Sequence, residues 1–227
     1  MPDSSPELHV LAAPGHAVAE ILAAQARRGG SIVLTGGSSV ADAYREAAAL
    51  EPDWSAATVW WGDERCVPPE DERSNFRLAK ENLLDHLQQQ PREIHRIRGE
   101  LPPAEAADEL DQALVGVQFD LMLLGLGPDG HMASLFPASP QLGVRDRRAA
   151  YGPAGLEPWV DRVTMTVPTI NAAARLVFLV TGADKADAVS RAFAGEITAE
   201  VPGSLARLAP VPVEVFLDEA SAVRLEP

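Results

Sequence analysis

Asp129 and His131 sit two residues apart in the stretch Asp120-Leu-Met-Leu-Leu-Gly-Leu-Gly-Pro-Asp-Gly-His-Met-Ala-Ser-Leu-Phe-Pro137. A carboxylate beside an imidazole suits proton transfer, because histidine titrates near neutral pH and a neighbouring acid can hold its ring orientation. The apolar run Leu121 to Leu124 reads as a buried strand, and Gly125, Gly127 and Gly130 let the chain turn sharply after it and approach a ligand. A titratable pair at the end of a buried strand is where open α/β sheets place their chemistry. A solvated glycine loop is the plainer explanation of this stretch taken alone.

Three further polar clusters follow strand-like runs. Gly36-Gly37-Ser38-Ser39 joins a strand to a helix start, so its amides and hydroxyls offer an anion cradle, or merely a tight turn with a serine cap. It has neither the lysine of a P-loop nor the spacing of a dinucleotide fingerprint. Asp63-Glu64-Arg65 comes directly after an apolar strand, with Ser74-Asn75 nine residues beyond Arg65. Arg65 suits a phosphate, a carboxylate or an oxyanion, and a local ion-pair loop is the alternative. Arg162 precedes a strand, and Lys185 starts a helix, where a cation opposes the helix dipole unless it has an anionic partner. That partner is either a ligand phosphate or a neighbour such as Asp184 or Asp187. Cys66 reads as a small buried hydrophobe rather than a nucleophile.

These residues need a frame to hold them. Short apolar runs at 31–34, 58–61, 119–124, 163–167, 176–180 and 213–217 read as strands. Helical spacing covers 14–28, 40–50, 74–87, 103–114, 183–193 and 202–208, with Ser74 as an N-cap. The segment Gln141 to Asp161 is rich in Gly, Pro and Arg and reads as a long loop. The alternation predicts an α/β fold of Rossmann-like type, a mostly parallel sheet with helices on both faces, in one domain over residues 1–227.

The bulk composition narrows the partners. The chain of 227 residues is 46% hydrophobic and 23% charged, as expected of a globular protein. Its formal charge of −14 and its lack of a basic block argue against nucleic acid. No apolar run approaches the about 18 residues of a membrane span. Met1 to Glu7 has no leader character, and Cys66 is the single cysteine, so the expected compartment is the cytoplasm. Lysine occurs only at Lys80 and Lys185. In so acidic a chain, an anionic substrate requires locally concentrated cations, which gives weight to Arg65, His131, Arg162 and Lys185. There is no His/Cys cluster with metal-ligand spacing and no Gly-x-Ser-x-Gly elbow, so neither a metal nor a serine acyl-enzyme is expected. A phosphate site, an arginine and a histidine base suit hydrolysis or isomerisation of a small sugar phosphate. The amides of the Gly125–Gly130 loop, or Arg65, are the candidates to stabilise an oxyanion.

The motifs Gly36-Gly-Ser-Ser39, Gly62-Asp-Glu-Arg-Cys-Val-Pro68, Ser74-Asn75 and Gly125-Leu-Gly-Pro-Asp-Gly-His-Met-Ala-Ser-Leu-Phe-Pro137 resemble the 6-phosphogluconolactonase family. Arg162-Val-Thr-Met-Thr166 and Thr181-Gly-Ala-Asp-Lys185 continue the resemblance in the same order. Relatives that deaminate glucosamine 6-phosphate share Asp-Gly-His but continue into Asn-Glu-Pro, and carry Asp-Glu-Tyr where this chain has Asp63-Glu64-Arg65. The resemblance implies hydrolysis of 6-phospho-D-glucono-1,5-lactone in the pentose phosphate pathway, on a Rossmann-like domain without a cofactor. It implies that His131 is the base activating water, that Asp129 orients it or meets substrate hydroxyls, and that Arg65 faces the lactone or the phosphate. Gly36, Gly37, Ser38, Ser39, Asp63, Arg162 and Lys185 then form the substrate- and phosphate-binding set. Where many members place a threonine in the glycine loop, this chain has Ser38-Ser39-Val40, whose hydroxyls still donate. A deaminase-like isomerase and a non-catalytic sugar-phosphate-binding domain are the alternatives.

Overall fold

The computed structural model describes residues 5–225, so residues 1–4 of the Met1–Glu7 stretch lie outside it. Among the described residues, ten strands form two sheets. The larger contains β1 (Glu7–Val10), β2 (Gly30–Leu34), β3 (Ala57–Trp61), β5 (Glu93–His95), β6 (Leu121–Leu124), β9 (Leu176–Val180) and β10 (Val213–Leu217). Its order is β1-β10-β9-β6-β2-β3-β5, with every neighbouring pair parallel. The smaller is antiparallel, in the order β4-β8-β7, from β4 (Asp63–Arg65), β7 (Ala149–Gly152) and β8 (Arg162–Met165).

Strands β3, β6 and β9 are buried along their whole length, as a parallel sheet covered by helices requires. Around the sheet lie α1 (Pro14–Arg28), α2 (Ala41–Leu50), α3 (Asn75–Asn82) and α4 (Pro103–Ala113), with the short α5 (Val167–Asn171), α6 (Ala186–Val189) and α7 (Glu219–Ala222). Helix α1 shows the logic. Val18, Ala19, Leu22, Ala23 and Ala26 recur on one face and are buried, proline opens the first turn, and Arg27 and Arg28 complement the dipole at the end. Among the described residues, no helix is long and apolar enough to cross a membrane.

Several expectations needed correction. The run 163–167 joins the small antiparallel sheet, stops at Met165, and gives way to α5. Asp63-Glu64-Arg65 forms β4 rather than a loop. The long loop 141–161 contains β7, paired with β8. Strands β1 and β5 escaped notice because each has only four or three residues and little burial pattern. The helix expected over 183–193 splits into a tight turn at 183–185, α6, and a wider turn at 190–194, while 202–208 is a 3₁₀ helix. Ser74 does cap α3, accepting from the Arg77 amide.

The chain runs from β2 outward through β3 to β5, then returns to place β6 on the other side of β2. The order therefore switches direction between β2 and β6. A crevice opens outside the carboxyl ends of parallel strands at such a point, and ligands bind there. The glycine loop follows β2 and the Asp129–His131 turn follows β6, so the topology brings two clusters to one crevice.

Candidate active site

The glycine loop is fixed from behind. Fully buried Tyr44 of α2 accepts from the Thr35 amide at 2.9 Å and donates to the Thr35 carbonyl at 2.6 Å. Gly36 lies against Asn75, whose Oδ1 would be 1.8 Å from any β-carbon at that position. Gly37 has a φ of +106°, with nothing within 4 Å of where a β-carbon would project. Neither serine caps α2, since its N-cap is Val40 and makes no side-chain capping bond. Ser39 instead shares a 2.8 Å hydrogen bond with Thr181 at the end of β9, and Ser38 is exposed at the cleft. The loop is therefore held by its neighbours, with Gly37 and Ser38 left to face a ligand.

The turn after β6 builds an imidazole pair. His131 Nδ1 lies 2.6 Å from Asp129 Oδ1, which also accepts from the His131 amide at 3.2 Å. Burial alone would raise the Asp129 carboxyl, but the hydrogen bond and charge of His131 outweigh it and hold the group below its ordinary range. A carboxylate at Nδ1 makes that nitrogen the donor and leaves Nε2 as the acceptor. The ring also packs on Phe136, centroids 4.5 Å apart. Position 127 must be glycine, because a β-carbon there would come within 2.0 Å of His131 Nδ1. The Gly127 amide donates to the His131 carbonyl at 2.8 Å and the Gly130 amide to the Gly127 carbonyl at 3.0 Å. These bonds close the turn and engage the Gly127 and Gly130 amides, so the candidates for the oxyanion role narrow to the other amides of the loop and Arg65.

Strand β4 brings in the acids and arginines. Buried Glu64 accepts from the amides of Arg65, Asn75 and Phe76 and from the Ser74 hydroxyl. Burial nevertheless pushes its carboxyl up against the lowering effect of those bonds. Glu64 thus ties β4 to the start of α3, a role not read from its motif. Asp63, 5% exposed, lines the cleft with Arg65. Arg65 donates to the Arg73 carbonyl and keeps a buried Nε without a hydrogen-bond partner. Arg162 pairs with it across β4 and β8 and is 4% exposed. Burial and the Arg65 charge push Arg162 down to about 10, and one guanidinium nitrogen donates to the Pro158 carbonyl at 2.8 Å. Arg162 lies beside Arg65 on the neighbouring strand and is not among the residues that border the cleft. Lys185 does line it, with its nearest carboxylate, exposed Asp184, at 3.6 Å. Asp187 pairs with Arg224.

The cleft holds about 180 Å³. Gly36, Gly37, Ser38, Ser39, Asp63, Arg65, His131 and Lys185 all border it, with Asp129 behind His131. Thr35, Ala133, Leu156 and Glu157 also line it. Leu156 and Glu157 belong to the stretch read only as loop, and nothing in their types marked them as part of a site. Asp63, Asp129 and His131 do not gather their ligand atoms at one point. Among the described residues, Glu7, His9 and Glu214 do so, within 4.8 Å, on the amino-terminal side of β1 and β10. There Glu214 is already engaged by the Arg175 guanidinium at 2.7 and 2.8 Å.

Residues 5–213 match the model of the family described as glucosamine-6-phosphate isomerases/6-phosphogluconolactonase. The 6-phosphogluconolactonase of Streptomyces coelicolor is 38% identical over 244 residues, covering 96% of this chain and 91% of that protein. That of Mycobacterium tuberculosis is 36% identical, covering 89% and 88%. The solved 6-phosphogluconolactonase of Trypanosoma brucei superposes with a TM-score of 0.84 at 27% identity, covering 98% of this chain and all of that one. With a family match over most of its length and relatives this similar along nearly the whole chain, the protein belongs to the glucosamine-6-phosphate isomerase/6-phosphogluconolactonase family.

Proposed function

We propose that this protein hydrolyses 6-phospho-D-glucono-1,5-lactone to 6-phospho-D-gluconate, a step of the pentose phosphate pathway, without a cofactor. One observation carries the reading: the His131–Asp129 pair shares a single cleft with the glycine loop and Lys185. A base at one end and an anion cradle at the other are what a phosphorylated ester requires. His131 Nε2 takes a proton from water as its oxygen attacks the lactone carbonyl. The tetrahedral oxyanion forms near Arg65, whose charge needs no reorganisation to meet it. The ring C–O bond then breaks, and the imidazolium returns its proton to the departing ring oxygen. Gly37, Ser38 and Lys185 hold the 6-phosphate, while Asp63 faces substrate hydroxyls. Arg162 adds positive charge from beside Arg65.

The direct test is acid release from freshly generated 6-phospholactone, with spontaneous hydrolysis subtracted. Rapid turnover is the expected outcome; ammonia release from glucosamine 6-phosphate in its place would overturn the proposal.

The phosphate assignment has its own measurement. Lys185→Ala is expected to raise KM for the 6-phospholactone about 10- to 100-fold, the value of a charge-assisted contact. Unphosphorylated gluconolactone should be little affected. Arg162→Ala should weaken turnover of both lactones and lower Tm, because that side chain is buried beside Arg65 and does not border the cleft. Equal losses for both lactones in Lys185→Ala would remove it from the phosphate site.

Metal independence is the third expectation. Both Asp63 carboxylate oxygens are engaged, by Asn75 and Ser134, and Asp129 is engaged by His131. Turnover should survive exhaustive chelation and gain nothing from zinc or magnesium. Loss on chelation with recovery on one divalent ion would recast His131 as a ligand.

A further inference from the structure

Asp63 sits at the meeting point of the cleft's two halves. Its Oδ2 accepts from Ser134 Oγ at 2.6 Å, and Ser134 lies three residues beyond His131 on the same turn. Its Oδ1 accepts from Asn75 Nδ2 at 3.2 Å, and its main-chain carbonyl accepts from the same nitrogen at 3.0 Å. All three residues are buried: Asp63 is 5% exposed, Asn75 1% and Ser134 3%. The remaining oxygen of Asn75, Oδ1, is buried and has no hydrogen-bond partner. It fills the space over Gly36 where a side chain would otherwise stand. The Ser134 amide reaches Thr164 Oγ1 at 3.3 Å, and Thr164 is the residue paired with Asp63 across β4 and β8.

We infer that Asp63 is the hub that sets the glycine loop and the base-bearing turn at a fixed separation, through Asn75 on one side and Ser134 on the other. Asn75 and Ser134 are then positioning residues. The inference rests on the hydrolase reading above and extends it to residues that the chemistry itself does not touch.

The physical reason lies in how the two loops are built. Each is held at its root by a parallel strand, and among the described residues no main-chain hydrogen bond joins one loop tip to the other. A buried carboxylate has two oxygens with fixed geometry, and leaving either unpaired is costly, so both partners are held in register. Substrate spans that distance, with its phosphate at one loop and its carbonyl at the other. Small errors in such a separation cost large factors in rate.

The two arms make separable predictions. Asn75→Ala releases the glycine loop, and should raise KM for the 6-phospholactone about tenfold or more while sparing gluconolactone. Ser134→Ala releases the His131 turn, and should lower kcat about tenfold or more on both lactones with KM little changed. Gly36→Ala attacks the same contact from the loop side and should reproduce the Asn75→Ala defect. Because both changes break one contact, the double variant Gly36→Ala/Asn75→Ala should be no worse than the worse single variant.

The decisive experiment measures kcat and KM on both lactones for these four proteins, with thermal unfolding to establish that each is folded. Calorimetric titration with 6-phosphogluconate reads the phosphate arm independently of turnover. Wild-type kcat in Ser134→Ala, or additive losses in the double variant, would overturn the hub. So would an equal KM rise on both lactones in Asn75→Ala. If Ser134→Ala does not fold, the Gly36/Asn75 cycle decides alone. A wild-type protein inactive on the lactone would instead sink the hydrolase reading, and the titration would still report whether Asn75 sets the loop.

Discussion

His131→Ala should fold as the wild type does and lose about 10²- to 10⁴-fold in kcat, the usual cost of removing a general base. The side chain is half-buried at the cleft and makes its one hydrogen bond to Asp129, so its loss costs the fold little. His131→Gln should fall as far, since an amide at that place cannot carry the proton. The Asp129 carboxyl is held below its ordinary range by the hydrogen bond and charge of His131, so the orienting carboxylate should stay ionised well below neutral pH. Steady-state kinetics across pH, with circular dichroism of each variant, checks both statements. Near wild-type turnover from a folded His131→Ala protein would show that another group is the base.

The second large effect is expected from Asp129→Asn. The substitution keeps size and shape but places an amide where a carboxylate accepts from Nδ1. If the amide nitrogen turns toward the ring, Nδ1 becomes the acceptor, the proton moves to Nε2, and the imidazole cannot take one from water. A loss of about 10²- to 10⁴-fold in kcat with KM nearly unchanged follows from a wrong tautomer. Asp129→Ala should be milder, because a ring with no partner samples both tautomers. A purely structural role would reverse the order, since asparagine preserves packing better than alanine. Nitrogen chemical shifts of the His131 ring report the tautomer directly, and a shift to the Nε2–H form in Asp129→Asn is the expected signature.

Much of the site was legible before the fold was known. Short apolar runs followed by Gly-Gly-Ser-Ser, Asp-Glu-Arg and Asp-Gly-His marked the ends of β2, β3 and β6, because a buried parallel strand is nearly all apolar and its polar residues begin where it stops. The elements missed were those whose existence depends on a partner. Strand β4 is charged throughout, and forms because β8 supplies its ladder and Asn75, Phe76 and Ser74 satisfy Glu64. Strand β7 lies in a stretch rich in glycine, proline and arginine, and has only β8 to pair with. Arg162 was read as one of the phosphate-binding cations, and its burial beside Arg65 through cross-strand pairing could not be seen in its local sequence. Ser134 stood within a motif quoted for its neighbours, and its bond to a residue 71 positions away left no local trace.

The sequence by itself determined the alternation of strands and helices, the family, and the pairing of His131 with Asp129. Each of these rests on residues close together in the chain: apolar periodicity, glycines that permit a turn, and a two-residue spacing that lets His131 Nδ1 reach Asp129. Only the tertiary structure decided which clusters share a cleft, which arginine borders it, and which loop amides are already engaged. Those depend on strand order. The switch between β2 and β6 brings residues 36–39 and 129–131 to one crevice, while the antiparallel pairing of β4 with β8 sets Arg65 at its border and buries Arg162 beside it. Strand order is set by long-range packing and burial of the whole sheet, and no window of the chain short enough to show a motif contains it.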